Sequence, residues 1–149
     1  MLDTGDPAPD FFLPAASDPN AEYMLSAAAN AGPVVLAFVP GEEERAASLL
    51  AALASLDWGS LAGQISVFGI GDDQQTLAGL TPDLPFPLLY DPEAYVADLY
   101  GIADHDSRAG PRRALVLADQ GCTIQFAWMA SGADEDPPLD GLAGAIRVL

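Results

Sequence analysis

Cys122 is the only thiol in the sequence, and a thiol becomes a redox or nucleophilic group once it ionises. Ionisation needs a nearby cation or a helix N-terminus. Arg112 and Arg113 precede Cys122 on the neighbouring strand, so a redox role is one reading; the other is a small, reduced residue, more than half buried, opening a hairpin strand. With no second Cys, it could join only an intermolecular or mixed disulfide. The loop Asp104-His105-Asp106-Ser107-Arg108 sets two carboxylates beside the single His. Consecutive residues do not converge readily on one ion, so the loop reads as solvated and no metal is expected. Arg108, Arg112 and Arg113 are the one local concentration of positive charge. Guanidinium groups suit carboxylates and phosphates, which makes them a candidate anion site, although neutralising neighbouring acids is the simpler role. Gly69-x-Gly71 is too short a fragment for nucleotide binding. Trp58, Trp128 and Phe38 read as core or interface.

The chain around these residues has 149 residues, of which 22 are Asp or Glu against five Lys plus Arg, for a net charge of −17. That charge argues against nucleic acid, whose binding rests on cations that neutralise phosphates, and against anionic membranes. One Cys and one His exclude a disulfide framework, a Cys-rich zinc site and a multi-histidine centre. The opening MLDTGDPAPD is acidic and Pro-rich, unlike a signal peptide, and no apolar run has the 18 or more residues of a membrane span. A cytoplasmic protein is expected. No cofactor is expected, and 1–149 reads as a single domain.

The elements that must position these residues follow from punctuation and periodicity. Residues 5–14 read as extended, and the Ala-rich stretch before Pro33 as weakly structured. Val34–Val39 is a continuous apolar run between Gly-Pro and Pro-Gly, the pattern of a strand buried on both faces. A helix over 42–56 follows directly after Pro40-Gly41, with three Glu at its positive end and a stripe of Leu49, Leu50, Leu53 and Leu56. Residues 65–70 form the next strand, Asp72 or Asp73 caps a short helix to about Leu80, and 86–90 is a short strand. Helix 92–100 carries Tyr95, Leu99 and Tyr100 and ends at Gly101. Strands 114–118 and 123–129 are joined by Asp119-Gln120-Gly121 as a hairpin, and 139–148 is a terminal helix after an acidic loop over 132–138. This order implies an α/β fold with a central mixed sheet and helices on both faces.

The layout resembles the peroxiredoxins, the alkyl hydroperoxide reductase and thiol-specific antioxidant family of the thioredoxin-like fold. Gly5-x-x-Ala8-Pro9-Asp10-Phe11-x-Leu13 is similar to the family's opening, and Pro33-Val34-Val35-Leu36-x-Phe38-x-Pro40 to its first central strand. Phe86-Pro87-Leu88-Leu89-x-Asp91 and Tyr100-Gly101 match two later landmarks, and Arg113 before Asp119-x-Gly121 matches the segment bearing the family's active-site Arg. The resemblance runs from about residue 5 to 130.

The same resemblance implies a degenerate pocket. The family's loop reads Pro-x-x-x-Thr-x-x-Cys; here the spacing gives Pro40, Glu44 for the Thr and Ala47 for the Cys. Only a thiolate attacks the peroxide oxygen in these enzymes, Ala47 has no lone pair, and the neighbouring Ser48 is hardly ionised without a base. No catalytic residue is expected. The resemblance implies a non-catalytic binding or scaffold protein, or alternatively a redox protein acting through Cys122 or beside a catalytic partner. It also implies a homodimer; an acidic protein partner is read from the Arg108, Arg112 and Arg113 cluster, and a thiol-containing one from the redox alternative. Arg113 is expected beside Ala47 with Glu44, or failing it Glu42 or Glu43, paired to Arg113 or Arg112 as a plug.

Overall fold

The computed structural model describes residues 2–18, 20–41, 43–56, 65–102, 113–130 and 136–148. Its elements in chain order are strands β1 (Phe12–Pro14) and β2 (Glu22–Met24), helix α1 (Leu25–Ala31), strand β3 (Val34–Phe38), helix α2 (Glu43–Ala54), strand β4 (Ser66–Gly71), helix α3 (Gln74–Leu80), strand β5 (Leu88–Tyr90), helix α4 (Tyr95–Leu99), strands β6 (Ala114–Ala118) and β7 (Ile124–Met129), and helix α5 (Leu139–Arg147). Five of the strands form one sheet in the order β5-β4-β3-β6-β7.

The continuous apolar run becomes the middle strand because both of its faces must be covered. β3 runs parallel to β4, with Leu36 opposite Phe68, and antiparallel to β6, with Leu36 opposite Val116. All five of its residues are buried. Side chains alternate between faces, so Val34, Leu36 and Phe38 join one core with Leu25 and Ala29 of α1, Val96 and Ala97 of α4, and Tyr100. Val35 and Ala37 join the other with Leu49, Leu50 and Leu53 of α2, Leu77 of α3, and Leu142 and Ile146 of α5. Helices therefore lie on both faces, as the order of elements predicts.

Gly69-x-Gly71 proves to be a packing device on β4. A Cβ at Gly69 would collide with the Leu88 side chain and lie 3.0 Å from Leu50 Cδ2. Asp73, one of the two predicted caps, accepts from the Thr76 N–H at 3.2 Å at the start of α3.

Two stretches differ from the sequence reading. The Ala-rich stretch before Pro33 is ordered: β2 pairs antiparallel with β1, Phe12 opposite Met24, and α1 follows. Its N-terminal amide at Ser26 donates to Asp10 Oδ1 at 2.9 Å, a cap sixteen residues away that no local pattern reveals. The expected helix 92–100 is broken. Glu93 and Ala94 have φ of 58° and 55°, and the helix proper starts at Tyr95 because buried Asp91 accepts from the amides of Val96 and Ala97, both at 3.0 Å. Burial pushes the Asp91 carboxyl up, against the pull of those amides. Tyr95 and Leu99 consequently face outward, 67% and 41% exposed, while Tyr100 is buried.

Candidate functional site

The residues that the resemblance assigns to the family's pocket begin where β3 ends. Pro40 is buried and Gly41 half-buried, and Thr76 Oγ1 donates to the Gly41 carbonyl at 3.2 Å, which fastens this turn to α3. From Glu43, α2 runs back along the sheet, with Ala46, Leu49, Leu50 and Leu53 inward. Glu44 and Ser48 are exposed. Ala47 is half-buried and helps line an apolar groove of about 450 Å³ with Leu50, Ala51, Ala54, Leu80 and Leu84.

Arg113 immediately precedes β6 and is buried. Strand alternation places it on the same side as Leu115 and Leu117, which pack with α2 and α5. Its guanidinium lies 5.8 Å from the centre of the Trp128 ring, a cation–π contact. The cation thus occupies the α2 face of the sheet. Among the described residues no ion pair joins Glu44 or Glu43 to Arg113; both glutamates are exposed in the first turn of α2, where they complement the helix dipole, and the other expected pairings involve Glu42 or Arg112. Glu42, Arg108, Arg112, Trp58 and the Asp104–Arg108 segment lie outside the described residues.

Cys122 is unpaired in any disulfide and partly buried. It follows the turn after β6 with φ 59°. This turn is organised by Asp119, whose Oδ1 accepts from the amides of Gly121 at 2.9 Å and Thr123 at 3.0 Å. Asp119 Oδ2 accepts from Gln125 Nε2 at 2.8 Å. These bonds favour the ionised form and hold the Asp119 carboxyl below its usual range. The N-terminal segment then docks on the turn: Ala8 N–H donates to the Cys122 carbonyl at 2.8 Å, and Ile124 N–H to the Asp6 carbonyl at 2.9 Å. Docking carries Asp10 toward the thiol.

The surroundings of Cys122 therefore differ from the cationic ones that its place after Arg112 and Arg113 suggests. Burial pushes the thiol up, and the negative charges of Asp10 and Asp119 push it further. A thiol held above its ordinary range is a weak nucleophile at neutral pH. The β-hairpin separates Cys122 and Arg113 to opposite ends of β6, since Ala114 pairs with Met129 while Ala118 pairs with Ile124.

Sequence reasoning passed over Tyr100 and Asp91 as more than landmarks. Tyr100 stacks on Phe38 with ring centres 5.3 Å apart and donates its hydroxyl to the Pro9 carbonyl at 2.7 Å; burial raises its phenol. Tyr100 thus ties the end of α4 to the N-terminal segment, while Asp91 fixes where α4 begins. Among the described residues, no three His, Cys, Asp or Glu side chains gather to hold a metal ion, and no helix is long and apolar enough to cross a membrane.

Comparison with solved structures gives the same architecture. Peroxidoxin BcpB from Mycobacterium tuberculosis superposes with a TM-score of 0.84 at 21% identity, covering 100% of this chain and 99% of that one. Peroxiredoxin Q of Xanthomonas campestris gives 0.77 at 15% identity over 98% of both chains, and Mycobacterium tuberculosis AhpC gives 0.71 at 17% over 98% of this chain and 92% of that one. No curated protein matches by sequence. A model of the AhpC/TSA family matches residues 4–127, and with the five-stranded mixed sheet and its flanking helices this shows that the chain belongs to the AhpC/TSA family and has the thioredoxin-like fold of the peroxiredoxins.

Proposed function

We propose that this chain, as a single domain over 1–149, is a non-catalytic binding or scaffold member of its family, with Ala47 in the place of the peroxidatic Cys. One observation carries the reading: the family spacing from Pro40 puts Ala47, a residue without a lone pair, at the start of α2, and the one thiol of the sequence stands at the other end of β6 among acids. Arg113, which the resemblance matches to the family's active-site Arg, is buried on the α2 face of the sheet, which supports a family pocket that has kept its cation. Residual redox chemistry through Cys122, or a role beside a catalytic thiol enzyme, is the alternative, and the raised thiol counts against the first of these. The family resemblance favours a homodimer, and the acidic, span-free sequence favours the cytoplasm.

The test is peroxide consumption with a dithiol reductant, comparing the native chain with Cys122→Ser. Both are expected at the uncatalysed rate. Turnover by the native chain that disappears in Cys122→Ser would establish the redox alternative and overturn the non-catalytic reading.

A further inference from the structure

The β4–β5 ladder stops one step short of the start of β4, for a reason written in the sequence. Ser66 N–H donates to the Pro33 carbonyl at 3.0 Å and Val39 N–H to the Ile70 carbonyl at 2.9 Å. Ser66, Phe68 and Ile70 therefore turn their backbone groups toward β3, and Val67, Gly69 and Gly71 turn theirs toward β5. Gly69 N–H reaches the Pro87 carbonyl at 3.2 Å, and Asp91 N–H reaches the Gly71 carbonyl at 2.7 Å. The next bond would run from the amide of residue 87 to the Val67 carbonyl, but proline has no N–H to give. Strand pairing accordingly begins at Gly69 opposite Leu88. Among the described residues, neither the amide nor the carbonyl of Val67 has a backbone partner.

These two groups face a cavity of about 640 Å³. One wall is β2, with Tyr23 packed on Phe68 at a ring separation of 5.3 Å and Met24 39% exposed. The other is Phe86 and Pro87. Glu22 is the one charged residue among the described lining, on a chain of net charge −17.

We propose that this groove binds an extended, cationic segment of a partner protein, which adds to β4 at Val67 as a short extra strand. Main-chain pairing at a sheet edge supplies affinity without a fixed sequence, while side-chain pockets and charge supply selection. Here the Val67 amide and carbonyl take the main chain, the space between Met24 and Phe86 takes an apolar side chain, and Glu22 takes Arg or Lys. An apolar small molecule would leave the Val67 groups without partners, a penalty of about 1–3 kcal/mol for a buried group. At this groove a second copy of the chain would set acidic side chains against Glu22, a local repulsion that a dimer formed through another face avoids. The proposal stands independently of whether Ala47 abolishes peroxidase activity.

The test uses the dye-labelled pentapeptide acetyl-Arg-Val-Thr-Val-Arg-amide with the full chain, read by fluorescence anisotropy and by hydrogen exchange at the Val67 amide. Saturable binding is expected, with Val67 exchange slowed roughly tenfold in the complex. Backbone N-methylation of the central residues should weaken binding by about tenfold or more, the loss of one to two main-chain bonds. Glu22→Gln should weaken it roughly threefold, and less so in high salt, where the charge is screened. Met24→Arg, at an exposed position, should weaken it more than Glu22→Gln with an unchanged circular dichroism spectrum. Equal binding of the N-methylated peptide, or unchanged exchange at Val67, overturns the proposal. So does self-association of the chain that protects Val67, or an anilinonaphthalene dye that fills the groove when the peptide does not bind.

Discussion

The start of α2 and the turn between β6 and β7 offer contrasting surroundings for a thiol. Around α2 the fold supplies a buried proline, a helix N-terminus and the buried guanidinium of Arg113 on the same sheet face, and in the reading proposed above Ala47 stands where the family's Cys would. At the β6–β7 turn the fold supplies the sulfur of Cys122, but burial pushes its thiol up and the charges of Asp10 and Asp119 push it further. A sulfur atom is therefore not sufficient for thiol chemistry; its burial and the sign of the charges beside it both bear on its ionisation.

The largest effect expected from this comparison is on Arg113. Arg113→Ala removes a buried side chain stacked on Trp128 and should destabilise the chain by about 2 kcal/mol through lost packing and cation–π attraction. A fall in the urea midpoint accompanied by a change in tryptophan emission checks this. An unchanged midpoint would mean that the guanidinium does nothing for the α2 face.

Next comes a direct exchange of the thiol between the two regions. In Ala47→Cys with Cys122→Ser, the sulfur stands near a helix N-terminus, and alkylation by iodoacetamide at pH 7 should be roughly tenfold faster than for native Cys122. Equal rates would break the contrast, since position would then not matter.

A smaller effect concerns the turn itself. Asp119→Ala removes an acceptor of two amides and one side-chain amide and should cost about 1 kcal/mol. Because the folded carboxyl sits below its ordinary value, that contribution is fully present above the unfolded pKa and disappears as the pH falls through the folded one. The gap between native and Asp119→Ala urea midpoints should therefore be wide at pH 7 and close toward pH 2. The smallest effect is on the thiol's titration. Asp10→Asn keeps an oxygen for the Ser26 amide while removing one negative charge, and should raise the alkylation rate near pH 8 about twofold.

The sequence by itself determined the sheet and most of its helices. Val34–Val39 could only be a strand covered on both faces, Leu49, Leu50 and Leu53 could only face a core, and Asp119-Gln120-Gly121 could only turn one strand onto the next. It also determined that one thiol exists and where the Pro40-to-Ala47 spacing falls, on which the proposed loss of the nucleophile rests. These are properties of periodicity, turn chemistry and spacing, which are local. Tertiary structure decided everything that depends on contacts between distant residues. Asp10 caps α1 from sixteen positions away, Asp91 resets the start of α4 by binding amides that the pattern assigned to a longer helix, and the N-terminal segment brings Asp10 to Cys122. The sequence neighbours of Cys122 suggested arginines, but an extended strand carries Arg113 away at about 3.3 Å per residue, and the docked segment delivers an acid in its place. Charge acts through space, so the reactivity of that sulfur was set by folding rather than by its place in the chain.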